Sequence, residues 1–263
     1  MLFHPKGPIA DDQHQLMITA VLMMLVLAVP TLALLYFFAW RYREGGKRAI
    51  VNHHSNHGRF FSVLLWAIPS TLVLLLVSIM LPATQKLEPQ KSILSTNPPL
   101  SIQVVALRWK WLFIYPEQNI ATVNYVQIPV DTPVQFDLTA DEAPMNSFWI
   151  PHLAGQLYAM TGHENRLNLM AETPGDYQGS AAEINGAGFA GMRFITRATS
   201  KEDFDHWVQH ARQSPGVLDA VAYRKLLTPS TNNQVAFYSA AQTDLYDTIL
   251  AKYAGSHHHA GGY

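Results

Sequence analysis

From Leu16 to Trp40, and again from Phe60 to Thr84, the chain runs 25 residues without a charged side chain. A bilayer hydrocarbon core about 30 Å thick is crossed by roughly 20 helical residues. Lipid offers no hydrogen-bond partner to a backbone amide, so a single segment entering it must be a helix. Neither stretch carries the polar stripe of an amphipathic helix packed in a soluble core, and both read as transmembrane helices. Pro30 and Pro69 each remove one backbone hydrogen bond and predict a kink. Trp40, Tyr42 and Trp66 lie near the predicted ends, where amphipathic rings favour the interface. The rest of the chain has to be organised around this two-helix hairpin.

The connection 41–59 holds Arg41, Arg43, Lys47, Arg48 and Arg59 against Glu44 alone. Positive residues stay on the cytoplasmic side, which makes 41–59 a cytoplasmic loop. The N-terminal tail, residues 1–15, and everything beyond residue 84 then lie across the membrane. For a bacterial inner membrane this predicts a two-pass protein with a periplasmic C-terminal domain. Residues 1–15 contain no apolar segment of their own, so no signal peptide is visible there. A formal net charge of −1 provides no basic surface for nucleic acid, and the expected partners are membrane lipids and other proteins. The chain has no cysteine, which is neutral as to redox compartment.

Residues 85–99, with Pro89, Pro98 and Pro99, read as a linker. From Leu100 the pattern turns to short β-type runs at Ile102–Leu107, Leu112–Tyr115, Thr122–Ile128, Val134–Thr139, Arg166–Met170, Tyr177–Ala181 and Met192–Thr196. Turn residues such as Asp131-Thr132-Pro133 and Pro174-Gly175-Asp176 separate them. That density over residues 100–198 predicts an antiparallel sandwich or Greek-key barrel. Residues 199–250 form a helical, aromatic-rich extension: Glu202–Gln213 and Val217–Leu227 read as helices, and 232–250 as a segment that packs on the barrel or on a partner. The Gly- and His-rich tail 251–263 reads as disordered.

Between the last two predicted strands lies Ala181-Ala182-Glu183-Ile184-Asn185-Gly186-Ala187-Gly188-Phe189-Ala190-Gly191-Met192, the frame of a copper loop without its ligands. A dinuclear copper centre needs bridging thiolates, because soft sulfur ligands hold copper. It also needs two imidazoles, a Met sulfur and a backbone carbonyl. The copper-bearing respiratory oxidases supply these from Cys-x-Glu-x-Cys-Gly-x-x-His-x-x-Met and from the His of an upstream His-Ser-Phe-Trp-x-Pro. In this chain Glu183, Gly186 and Met192 match that frame, while the ligand positions hold Ala181, Asn185 and Phe189. The upstream segment is Asn146-Ser147-Phe148-Trp149-Ile150-Pro151, with Asn146 where the imidazole would be. Neither a dinuclear nor a blue-copper site can be built without a thiolate, so the expectation is no metal and no cofactor in this chain.

These features together resemble subunit II of the haem–copper respiratory oxidases, in its bo-type ubiquinol oxidase branch. The resemblance runs from Pro5-Lys6-Gly7-Pro8-Ile9 through Phe38-Ala39-Trp40-Arg41-Tyr42-Arg43 and Trp66-Ala67-Ile68-Pro69 to Trp109-Lys110-Trp111-Leu112-Phe113-Ile114-Tyr115-Pro116-Glu117-Gln118. Ile120–Asn124, Asn146–Pro151, the ligand-free loop and Ser230–Tyr238 complete it. It implies a two-helix transmembrane hairpin plus an all-β cupredoxin-like Greek-key barrel with a short helical extension. It also implies a non-redox subunit of a proton-pumping terminal oxidase that oxidises ubiquinol and reduces dioxygen to water. Haems and copper would sit in a partner subunit I, where ubiquinol also reacts, and this chain would act in assembly and stability. No catalytic residue is expected in it. Many members carry a Glu four residues before the Trp of the second helix as the mouth of a proton channel; here that position is Ser62, and the role is not carried over. The rival functions are a copper-bearing electron-transfer subunit of cytochrome c oxidase, which needs the missing ligands, and a stand-alone membrane-anchored cupredoxin-like binding protein, which needs only one helix.

Trp109, Trp111, Phe113 and Tyr115 match the aromatic patch through which copper-bearing relatives pass electrons; without copper, packing is the better reading. Met192 is expected to fill the former metal cavity as a flexible apolar group. His53, His54 and His57, the tail His257–His259, and the set His152, His163 and Met160 are read as no metal site, since ligation needs defined geometry.

Overall fold

The computed structural model describes residues 4–41, 43, 57–91, 93, 95 and 97–254. Most of the 41–59 loop, His53, His54, the side chain of His57 and His257–His259 lie outside the described residues. Two helices open the chain, α1 (Pro8–Arg41) and α2 (His57–Lys86), both longer than their uncharged stretches. By length and composition each can cross a membrane. Five of their hydroxyls bond within the helix: Thr19, Thr31, Ser70, Ser78 and Thr84 each donate to the carbonyl four residues back, at 2.7–2.9 Å. That internal bond is what lets a Ser or Thr sit in an apolar helix without an outside partner. Pro82 joins Pro30 and Pro69 as a third proline inside these helices.

The second compact unit comprises residues 1–12 and 88–263. Its strands are β1 (Leu100–Leu107), β2 (Lys110–Tyr115), β3 (Ile120–Val123), β4 (Tyr125–Pro129), β5 (Val134–Ala140), β6 (Asn146–Trp149), β7 (Leu157–Ala159), β8 (Asn165–Leu169), β9 (Gly175–Ala181), β10 (Arg193–Thr199) and β11 (Ala236–Tyr238). They form a six-stranded sheet in the order β11-β3-β2-β1-β5-β8 and a five-stranded sheet in the order β4-β10-β9-β6-β7. The helices α3 (Lys201–Ala211), α4 (Ala220–Leu227) and α5 (Leu245–Ala254) follow or flank the last strands. This is a sandwich as the strand pattern predicts, and cupredoxin-like as the resemblance implies, with two corrections.

Pairing is not all antiparallel, since β1 runs parallel to β5 and β4 parallel to β10. The chain passes from one sheet to the other after β3 and back after β4, and such crossovers, unlike hairpins, admit parallel neighbours. Residues 122–128 are also not one strand. Asn124, at φ +56°, turns the chain from β3 into β4 of the other sheet. Its side chain holds that corner, the Oδ1 accepting from Trp111 N and the Nδ2 donating to Asn233 O, both at 2.9 Å. The strands β6, β7 and β11 have only three or four residues, too few for an alternation to register in the sequence.

Each face of the six-stranded sheet is covered. Trp111, Phe113 and Tyr115 of β2 point between the sheets, where Phe148 stacks on Phe194 at 4.9 Å. Leu112 and Ile114 point outward against Leu218, Tyr223, Leu245, Tyr246 and Ile249 of the C-terminal extension. A strand covered on both faces reads as an unbroken apolar run, as Trp111–Tyr115 does. The extension therefore packs on the barrel as a third layer. Two of its helices, α3 and α4, start at side-chain caps: Ser200 accepts from Asp203 N, and Asp219 from Val221 N and Ala222 N, satisfying amide groups that have no partner in the first turn.

Asp141, buried after β5, locks this layer in place. One carboxylate oxygen accepts from Tyr223 Oη at 2.6 Å, the other from Tyr253 Oη at 2.6 Å and Lys252 Nζ at 2.9 Å. Lys252 also reaches Glu142 at 2.7 Å. Burial alone would lower the Lys252 pKa, but its bonds to Glu142 and Asp141 more than reverse that and raise it. The α5 helix runs to Ala254, so the first four residues of the tail predicted as disordered are helical.

Much of the segment read as an N-terminal tail is also part of this unit. Lys6 N donates to His152 O at 2.9 Å, Glu172 N donates to Lys6 O at 3.0 Å, and His152 Nδ1 lies 3.1 Å from His4 O. Gly7 fits here because a Cβ would stand 2.2 Å from Met170 O.

Candidate functional site

The loop from Ala182 to Met192 joins β9 to β10 and returns beside the start of β6. Two backbone bonds close its base: Ala181 N to Met192 O at 3.0 Å and Ala182 N to Ser147 O at 2.9 Å. Since Phe148 pairs with Ala181 across β6 and β9, the two motifs that lie far apart in sequence meet at one end of the sandwich. Asn146, Ala181, Asn185 and Met192 are all buried, and Phe189 is half-buried against the same core. Asn185 Nδ2 donates to Asn146 Oδ1 and contacts Met192 Sδ at 3.1 Å. Asn146 Nδ2 in turn donates to Pro144 O at 2.5 Å. Three of the positions read as former or retained ligands thus form one side-chain cluster. Asn185 Oδ1 has no partner in it. Glu183 points to solvent, and Ile184 beside it is 80% exposed.

Trp109 completes the site from above. It is the second residue of the two-residue hairpin loop between β1 and β2 and sits at φ +63°, a conformation a bulky residue adopts only when its surroundings enforce it. The reward is placement of the indole: Nε1 donates to Asn185 O at 3.4 Å. A Cβ on Gly188 would lie 2.4 Å from the same ring, so only glycine lets the loop pass beneath it. The C-terminal extension contributes Asn233, whose Nδ2 donates to Ser230 O at 2.8 Å and to Trp109 O at 3.4 Å. Sequence reasoning did not assign Asn233 or Gly188 a place here. The glycine spacing in the loop was the available signal for a side chain lying flat on it.

Trp111, Phe113 and Tyr115, which the sequence groups with Trp109, lie inside the sandwich and not at the site. Tyr115 Oη donates to Gln127 O at 3.0 Å, and burial pushes its pKa up. His152 belongs to the N-terminal docking contact, and His163 Nδ1 lies 3.2 Å from Thr161 O. Among the described residues no group of three or more His, Asp or Glu is placed to hold a metal ion.

A dinuclear copper centre does not fit this donor set. Two carboxamides, a methyl group, a phenyl ring and one thioether supply no thiolate and no imidazole, and soft or borderline copper needs both. The arrangement can pack, hydrogen-bond and present a shaped loop, but it holds no group that accepts an electron.

Residues 116–199 match the family described as cytochrome c oxidase subunit II, periplasmic domain, and residues 212–257 match the COX aromatic rich motif. A cytochrome bo(3) ubiquinol oxidase subunit 2 of Pseudomonas putida is 44% identical over 266 residues, covering 99% of this chain and 84% of that protein. Its counterpart in Pseudomonas aeruginosa is 40% identical, covering 98% of this chain and 77% of that one. A ubiquinol oxidase subunit 2 of Acetobacter aceti is 41% identical over 95% of this chain and 81% of its own length.

Proposed function

The chain belongs to the family of ubiquinol oxidase subunit 2 proteins, and from that membership we propose that it serves the oxidase as a subunit without a redox centre. The complex oxidises ubiquinol and reduces dioxygen to water. Haems and copper, and the ubiquinol itself, are placed in subunit I. This chain contributes two membrane helices and a rigid exported domain to assembly and stability. One observation carries the reading: Asn146, Ala181, Asn185, Phe189 and Met192 converge on one spot with no thiolate or imidazole among them. A loop kept in shape without ligands is useful for what it presents, not for what it conducts.

The same reading places the chain in a bacterial inner membrane, with the 41–59 loop cytoplasmic and the sandwich periplasmic. Two features support it. Five cations lie in 41–59 against one carboxylate. His4 and Lys6 hydrogen-bond to the sandwich, as expected if two crossings leave the N-terminal segment and the domain on one side. Between apolar helices in lipid, packing of small residues and polar contacts, and not a hydrophobic force, would hold α1 and α2 to neighbouring subunits.

The test is turnover and spectroscopy of the purified complex. It should consume oxygen with ubiquinol, fail with reduced cytochrome c, and lack the mixed-valence electron paramagnetic signal of dinuclear copper. Turnover with reduced cytochrome c together with that signal would overturn the proposal. Protease added to intact spheroplasts should digest residues beyond 100 and spare 41–59; cleavage confined to 41–59 would reverse the orientation.

A further inference from the structure

Between α4 and α5 lies a cleft of about 580 Å³. That lies within the roughly 300–1,000 Å³ of small-molecule sites. Its walls are apolar: Ala220, Leu227, Leu245, Ile249 and the Tyr223 ring. Its floor is Asp141, whose charge is already spent, both oxygens being occupied by Tyr223, Tyr253 and Lys252. Lys252, also lining the cleft, is committed to Asp141 and Glu142. Thr248 Oγ1 donates to Asp244 O at 2.7 Å. The remaining formal charge is Arg224, which lines the cleft, is exposed, and has no acidic partner among the described residues.

We propose that this cleft binds a single-chain anionic amphiphile, a fatty carboxylate of medium length, with its head on Arg224 and its tail along the apolar walls. The charge pattern sets the head: the one carboxylate in the cleft has both oxygens occupied, and the one charged group without an ionic partner among the described residues is a guanidinium, whose fork matches a carboxylate in bidentate fashion. The dimensions set the tail. The helices α4 and α5 have 8 and 10 residues, so the walls run about 12–15 Å at 1.5 Å per residue. That accommodates one extended chain of moderate length and not a two-chain phospholipid. Such molecules gather at membrane surfaces, beside which the proposed topology places this domain. The site is independent of the ligand-free loop, and its failure would leave the oxidase assignment untouched.

The test uses the intact oxidase in nanodiscs with a decanoate carrying a diazirine near its tail, irradiated, digested and mapped by mass spectrometry. Label is expected in the peptides spanning 220–227 and 245–252, suppressed by excess decanoate and much less by decanol. Arg224→Glu should cut that label at least about tenfold, the loss of one charge-assisted pair. Leu227→Trp, which fills the cleft without touching charge, should do the same. Arg224 is exposed on a helix surface, so its exchange leaves the packing intact and keeps the experiment readable even if Leu227→Trp fails to fold. Label confined to α1 and α2, competition by decanol equal to that by decanoate, or wild-type labelling of Arg224→Glu would each overturn the proposal.

Discussion

Two polar clusters lie at the same end of the sandwich and are built to opposite rules. The Asp141 cluster carries charge and is saturated: two oxygens accept three donors from α4 and α5. The Asn146–Asn185–Met192 cluster is neutral and incomplete, with Asn185 Oδ1 buried and unpartnered. A saturated buried charge is costly to break, because each partner left behind is desolvated without compensation. An incomplete neutral cluster has already given up part of its value. Rigidity at the Trp109 loop must therefore come mainly from packing of the indole on glycine, whereas attachment of the C-terminal layer depends on one carboxylate.

The largest effect is expected at Asp141. Replacing it by Ala leaves the Tyr223 and Tyr253 hydroxyls without an acceptor and Lys252 with Glu142 alone, at a cost of about 1–3 kcal/mol for each unsatisfied hydroxyl. Amide hydrogen exchange of the purified complex should show residues 218–254 losing protection while β9 and β10 keep theirs. Unchanged protection of α4 and α5 would mean that the apolar layer alone holds them, and the contrast between the clusters would lose its first half.

Next comes Gly188→Ala. The new methyl would meet the Trp109 ring at 2.4 Å, and overpacking of this kind costs about 1–3 kcal/mol. Exchange should rise in 182–192 and in the 107–110 hairpin together, because the indole links them. A rise in the loop alone would place its restraint in the backbone bonds at Ala181 and Ala182 instead.

How much of this was legible in the sequence differs between the regions for physical reasons. Two uncharged 25-residue runs leave a chain one option in lipid, so α1 and α2 could be located and their C-terminal ends placed within two residues, although α1 begins at Pro8, eight residues before its uncharged run. The lost ligand positions were also visible, since the absence of cysteine excludes a thiolate wherever the chain goes. What fills the vacated space was not. Met192 as a filler was foreseeable from its apolar side chain. The amide pair depends on β6 and β9 lying side by side, a long-range pairing that no local pattern encodes. The Asn124 corner and the three-residue strands were missed for a related reason: one side chain bonded to Trp111 and Asn233 outweighs a strand-like run of seven residues. Asp141 carries no motif at all, and its importance rests on Tyr223, Lys252 and Tyr253, more than 80 positions away.

A smaller effect is expected at Asn185. Substitution by Ala removes a bond to Asn146 and a sulfur contact, and also removes a buried oxygen that had no partner. With a net worth of about 1 kcal/mol for an ordinary hydrogen bond, the two changes largely offset, and domain stability should fall by less than about 1 kcal/mol. A loss as large as that of Asp141→Ala would erase the distinction between the clusters.

The smallest effect is expected from the two retained frame residues. Glu183 is exposed and Met192 fully buried, so Glu183→Gln and Met192→Leu probe opposite surroundings of one loop. Met to Leu conserves volume and costs under about 1.5 kcal/mol in a core, and Glu to Gln on the surface falls within the usual half kcal/mol or so. If the loop carries no electrons, ubiquinol-driven oxygen consumption per haem should equal wild type in both variants and in the double variant. The readout separates the possibilities because assembly and turnover are measured on the same sample. Normal haem content with lost turnover would assign the loop a direct part in the reaction, whereas loss of both together would assign it a part in assembly. Only unchanged values in both agree with a loop that kept the shape of a metal site after the metal chemistry was gone.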